Sequence, residues 1–140
     1  MLKVVVDTNV WVSSLYSDGK PRRIRERFEQ GQFQLFFAKE LLAECQEVLT
    51  RQKFAHRITP QQTERLLEII RKRAVFVRLP STIPTISADP DDDAFLLCAQ
   101  IANCDYIVSG DPDLLDLLEH GQTKIVLPAQ FLEILEQEQK

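Results

Sequence analysis

Carboxylates dominate the residues able to do chemistry. The segment Asp89-Pro90-Asp91-Asp92-Asp93 sets four aspartates around one proline, directly before the apolar run Ala94-Phe95-Leu96-Leu97. Charges so close repel one another, and a bound hard cation relieves the repulsion while taking their oxygens as ligands. Two further acidic turns, Asp7-Thr8-Asn9 and Gly110-Asp111-Pro112-Asp113, also sit just past short apolar runs. Together the three turns point to a metal site. His56 and His120 have no partner at zinc-ligand spacing, so oxygen ligation is the chemistry on offer.

Strands and helices must alternate to bring such turns together. Leu2 to Val6 is a β-branched run suited to a buried parallel strand, and a helix is expected from near Asn9. Ser17-Asp18-Gly19-Lys20 is turn chemistry, with Pro21 opening a second helix that stops at Gly31. Strand two is expected at Phe33 to Phe37, followed by a helix from about Lys39 to Arg51. Leu41, Leu42, Cys45, Val48 and Leu49 form the apolar stripe of that helix. Thr59-Pro60-Gln61-Gln62 has the form of a capping box opening the next helix, whose buried face is Leu66, Leu67 and Ile70. Strand three is Val75 to Leu79, and a proline-punctuated loop leads to the acidic helix, which ends near Ala102 with Asn103 as its stop. Strand four at Tyr106 to Ser109, a short helix from Pro112 to Leu118, strand five at Lys124 to Leu127 and a closing helix from Pro128 to about Glu136 complete the chain. This alternation predicts an α/β domain over residues 1–140, with a central mostly parallel sheet of about five strands covered on both faces.

Ligands of such sheets bind beyond the carboxyl ends of the strands, where all three acidic turns fall. A fourth acid comes from the helix after strand two. At about 100° per residue from Leu41, the stripe runs from roughly −20° at Val48 to +100° at Leu42, with Glu44 at about −60°. Glu40 and Glu47 turn further away, at roughly −100° and −120°. Glu44 is therefore the glutamate at the border of the buried face. Asp93 precedes Leu96 and Leu97 by three and four residues, which sets it over the inward side of its helix. The candidate ligands are thus Asp7, Glu44, Asp93 and Asp111, with Asn9 and Ser109 as auxiliaries able to orient a carboxylate or a water, and Asp92 and Asp113 as further auxiliaries whose plainer role is solvated charge or helix cap.

Plainer roles compete for each position. Asp-Pro is a good helix cap, the expected role of Asp89, and Asp91 reads as a solvated first-turn charge favoured by the helix dipole. The basic clusters Lys20 to Arg27, Arg51 to Arg57 and Arg71 to Arg73 have the form of solvated helix faces able to touch phosphates. Trp11 reads as core rather than a stacking platform.

The motifs in order resemble a PIN domain of the kind found as the toxin of type II toxin-antitoxin pairs. The resemblance rests on Val4-Val5-Val6-Asp7-Thr8-Asn9-Val10, Lys39-Glu40-Leu41-Leu42-Ala43-Glu44, the run from Asp89 to Leu96, and Tyr106-Ile107-Val108-Ser109-Gly110-Asp111-Pro112-Asp113-Leu114-Leu115. It covers nearly the whole chain. It implies a three-layer α/β/α sandwich and a carboxylate pocket binding Mg²⁺ or Mn²⁺, with the family's acids falling on Asp7, Glu44, Asp93 and Asp111. The activity implied is metal-dependent hydrolysis of RNA. An antitoxin covering the pocket, and a homodimer, are the implied partners. A metal-stabilised module of the same fold that binds RNA or a partner without cleaving is the alternative.

Other acidic-pocket chemistries fit less well. An aspartyl phosphatase of the haloacid-dehalogenase type needs a second Asp two residues after the first, where this chain has Asn9. A receiver domain needs its aspartate after strand three, where Leu79-Pro80 stands. The 140 residues are 44% hydrophobic, enough to bury a core, and the formal net charge of −4 does not mark a basic nucleic-acid binder. Cys45, Cys98 and Cys104 lack C-x-x-C spacing and are expected as buried free thiols in a reducing compartment. No apolar run approaches the roughly 20 residues of a membrane span, so a cytoplasmic location is expected.

Overall fold

The structure is a computed structural model that describes residues 1–86 and 90–138, the side chains of Pro90 and Asp91 excepted. The expectations for Asp89 and for the Asp91 side chain lie outside the described residues. The first half alternates β1 (Lys3–Val6), α1 (Thr8–Tyr16), α2 (Lys20–Glu29), β2 (Gln34–Phe37), α3 (Lys39–Leu49) and α4 (Pro60–Arg73). The second half runs β3 (Val75–Phe76), α5 (Pro90–Ala102), β4 (Tyr106–Val108), α6 (Pro112–Leu115), β5 (Glu119–His120), β6 (Thr123–Val126) and α7 (Pro128–Glu138). A single 3₁₀ turn at Gln52–Phe54 follows α3.

Local chemistry sets several boundaries. Gly31 takes a left-handed φ of 74° after α2, a conformation glycine adopts without a Cβ penalty. Asn103 ends α5 in the same region, at φ 53°. At the start of α4 the expected capping box forms: the Thr59 hydroxyl accepts from the Gln62 amide at 3.1 Å and the Thr59 amide donates to Gln62 Oε1 at 2.8 Å.

The strands form one sheet in the order β3-β2-β1-β4-β6-β5, parallel throughout except for the antiparallel β5–β6 pair. Six strands replace the expected five because β5 is a two-residue strand folded back on β6, too short to leave a hydrophobic period. β3 is also only two residues long, against an expected five. Its ladder ends where β2 ends: the Val77 amide donates to Phe37 O at 2.9 Å, and beyond Phe37 the partner chain turns into α3.

The order in which strands are added reverses at β1. The chain steps outward from β1 to β2 and β3, then crosses back to β4 on the other side of β1. The crevice between the carboxyl ends of β1 and β4 is the topological switch point, where open α/β sheets bind ligands. On one face α1 packs on α2 and α3, α3 on α4, and α2 on α7, while α5 packs on β1, β2 and β4. Right-handed crossovers put α5 on the opposite face, which makes the layers α/β/α. Trp11 is fully buried in edge contact with Phe28 at 5.6 Å, a core residue as expected.

Candidate metal centre

β1 and β4 deliver their acids directly to the switch point. Val4, Val5 and Val6 are buried, so the strand ends by carrying Asp7 inside, where it is only 5% exposed. The adjacent strand ends in Ser109, completely buried. Ser109 Oγ donates to Asp7 Oδ2 at 2.8 Å and accepts from the Asp111 amide at 2.9 Å. One hydroxyl thus ties the end of β1 to the loop after β4. The Asp111 carboxylate caps α6 by accepting from the Asp113 amide at 2.9 Å.

The α5 helix brings the acidic run to the same place. One carboxylate oxygen from each of Asp92, Asp111 and Asp113 lies within 4.8 Å of the others, a spacing that one cation can span. Asp92 is buried, Asp111 half-buried and Asp113 exposed, so the cluster opens from core to solvent. Asp93 is also buried, at 4% exposure, in the first turn of α5. Glu44 is half-buried on α3, beside Cys45. Asn9 is exposed at the start of α1.

Electrostatics connect these groups. Burial pushes the Asp7 carboxyl above its ordinary value; the Ser109 hydroxyl opposes that rise, and the nearby charge of Asp111 adds to it. The amides of Asn9 and Thr8 pull weakly the other way without forming a side-chain cap bond. The Cys45 thiol is pushed up to about 12 by burial first and then by the charges of Glu44 and Asp7, so both carboxylates are felt at one buried point. A buried carboxylate raised by burial and by a second carboxylate is a group that gains from a cation. The donor set is all oxygen, which fits Mg²⁺ or Mn²⁺ rather than a soft metal. Among the described residues the buried Thr8 hydroxyl, next to Asp7, has no hydrogen-bond partner, so polar capacity at the strand end is not used up by the protein.

A family model described as "PIN domain" matches residues 3–113, from the start of β1 to the last aspartate of the cluster. The chain belongs to the PIN-domain family. No curated protein matches it. PIN domains are generally metal-dependent nucleases, and this PIN domain combines the nuclease-type fold with an acidic cluster able to bind metal.

Two openings flank the acids of this PIN domain along the carboxyl edge of the sheet. A cleft of about 440 Å³ is lined by Asn9, Val10, Ser13, Gly110, Asp111 and Pro112 among others, which gives Asp111 an approach from solvent. A larger groove of about 670 Å³ lies over the ends of β2 and β3 and includes Lys39 and Arg78. No basic run in the sequence contains either cation; Lys39 stands two residues past the expected strand two, whereas Arg78 fell inside the strand expected over Val75 to Leu79, and only the early end of β3 frees it. Part of each run is committed elsewhere. Arg22 pairs with Asp18, Arg25 with Glu29 at 2.7 Å, Arg51 with Glu47 at 2.9 Å and Lys72 with Glu68 at 2.9 Å. No helix among the described residues is long and apolar enough to cross a membrane.

Proposed function

We propose that this protein is a metal-dependent ribonuclease that hydrolyses RNA phosphodiester bonds. The observation that carries the reading is the convergence of Asp92, Asp111 and Asp113 within 4.8 Å at the switch point, where Asp7 is joined to the same loop through Ser109. Asp7, Asp111 and Asp93 would hold Mg²⁺ or Mn²⁺, with Asp92 and Asp113 available as ligands directly or through water. When bound, the ion supplies a water of lowered pKa and neutralises charge on the phosphate and the leaving oxygen. Ser109 holds Asp7 Oδ2 by its hydroxyl, and the carboxylate so oriented would turn its remaining oxygen to the ion. Glu44, at the border of α3, would orient the attacking water or hold a second ion. The exposed end of the cluster at Asp113 admits a polyanionic chain that the buried end would exclude.

The motif resemblance supports a further step, that the protein is the toxin of a cytoplasmic toxin-antitoxin pair. An antitoxin protein masking the acidic pocket and a homodimeric toxin belong to that proposal. The test is cleavage of a panel of structured RNAs by wild type, Asp93→Asn and Asp111→Asn, with Mg²⁺, with Mn²⁺ and with EDTA. Cleavage that needs metal and is lost in both variants is the expected result. RNA binding without cleavage in either metal would replace the ribonuclease by a non-catalytic binding module of the same fold.

A further inference from the structure

We propose that the groove over the ends of β2 and β3 seats an unpaired nucleotide of a single-stranded RNA, with its base on Phe76 and its phosphates on Lys39 and Arg78. The inference deepens the ribonuclease reading and rests on it for the identity of the substrate. The groove is about 670 Å³, lined by Lys39, Phe76, Arg78, Leu79, Pro80 and Ile83 together with Glu40, Val77 and Ser81. Its floor is apolar and its rim carries charge, the combination that single-strand binding sites use to stack bases and follow a backbone.

Both cations line the groove just past the ends of two paired strands. In the parallel β2–β3 pair Phe37 stands opposite Phe76, and Lys39 and Arg78 each lie two residues further on. Both are exposed, and among the described residues neither forms an ion pair. Arg22, Arg25, Arg51, Arg71 and Lys72 spend their charge on neighbouring acids; Lys39 and Arg78 do not. Glu40 shares the rim, and its charge reaches Cys98 on α5, so two cations face one carboxylate there.

Phe76 is a large aromatic left unusually open, at 41% exposure. Its ring leans on the buried Phe37 at 6.3 Å, which fixes its position while a surface stays open to solvent. A base on that surface needs to be unpaired, since a duplex hides its faces. Neighbouring strands are about 4.8 Å apart, so the ends of β2 and β3 lie roughly 5 and 10 Å to the side of Asp7. A strand whose scissile phosphate meets the carboxylates reaches this groove within about one or two nucleotides if it runs along the carboxyl edge toward β3.

Fluorescence anisotropy with a short unstructured oligoribonucleotide tests this, in EDTA and again with Ca²⁺. Lys39→Ala and Arg78→Ala are each expected to weaken binding about tenfold and together to flatten the salt dependence by about 1.4 in log–log slope. Loss of the ring in Phe76→Ala is expected to weaken binding roughly 5- to 150-fold, while Phe76→Trp restores it. Lys124→Ala, on β6 and outside both the groove and the basic clusters, serves as the unchanged control. Wild-type affinity and salt slope in the double cation variant overturn the proposal, as does equal affinity for duplex RNA or no RNA binding by the wild type. Anisotropy reads binding without cleavage. A chain that holds RNA through these residues but cuts nothing defeats the hydrolysis alone; cleavage with binding untouched by the substitutions defeats the groove alone.

Discussion

Asp7 is the residue where burial and chemistry conflict most. Its carboxyl is raised above 3.8 chiefly by burial, so the protonated form is favoured by folding. That contribution to stability is complete below about pH 3.8 and is lost as pH rises through the folded value. In metal-free protein at pH 7, Asp7→Asn is therefore expected to raise Tm, with the gain fading in acid. A Tm unchanged or lowered at pH 7 would contradict a shift dominated by burial. Protons also compete with metal for this oxygen, so Mn²⁺ affinity measured by calorimetry should climb with pH above 3.8 in wild type and climb less in Asp7→Asn. Ser109 has a different role, since its hydroxyl joins two acids without carrying charge. Ser109→Ala leaves a buried carboxylate oxygen and an amide unpaired, which should cost about 1 to 3 kcal/mol in urea unfolding. Metal affinity should fall roughly 10- to 100-fold, as when an outer partner of a ligand is removed. An affinity within twofold of wild type would show that Ser109 merely fills space. Cys45, Cys98 and Cys104 are all buried and all pushed up to about 12, so they stay thiols at neutral pH.

Helix α5 shows which parts of the site could be inferred before folding and which could not. The arrival of its first turn at the strand ends follows from the β-α alternation, as do the positions of Asp7 and Asp111. The distinction among its own aspartates does not. Phe95, Leu96, Leu97, Cys98 and Ala99 are all buried, so α5 is enclosed on nearly every side and has no single inward stripe. A face argument built on Leu96 and Leu97 selects Asp93, yet Asp92 is buried as well, and it is Asp92 whose oxygen stands beside Asp111 and Asp113. Distances between separate loops are tertiary quantities that spacing along a chain leaves open. Local signals fared better, as at Thr59, where a hydroxyl, a proline and a glutamine three residues on were enough to specify a helix start. Thr59→Ala should cost about 1 kcal/mol and lower Tm, with RNA cleavage unchanged because α4 does not reach the acids. A loss of cleavage at a temperature where the variant is folded would tie α4 to the site.

At the scale of the whole molecule, the metal is expected to act as a stabilising ligand. Mn²⁺ at about 100 times its Kd should add ~2.7 kcal/mol, a rise in Tm of roughly 8 to 10 °C, removed by EDTA. No shift with Mn²⁺ or Mg²⁺ would speak against a metal centre. The formal charge of −4 means that any RNA affinity comes from local cations against an unfavourable overall field, and it should weaken steeply as salt rises. The two ends of the sheet carry one more consequence. β3 and β5 are two-residue strands, and Gly121, at a left-handed φ of 61°, folds β5 back over the flank of β6. Each margin thus offers a second copy only a stub of unpaired backbone, too little to extend the ladder from one chain into the next. Strand-to-strand pairing between copies is thereby blunted at both margins, the protection that very short edge strands give against edge-to-edge aggregation.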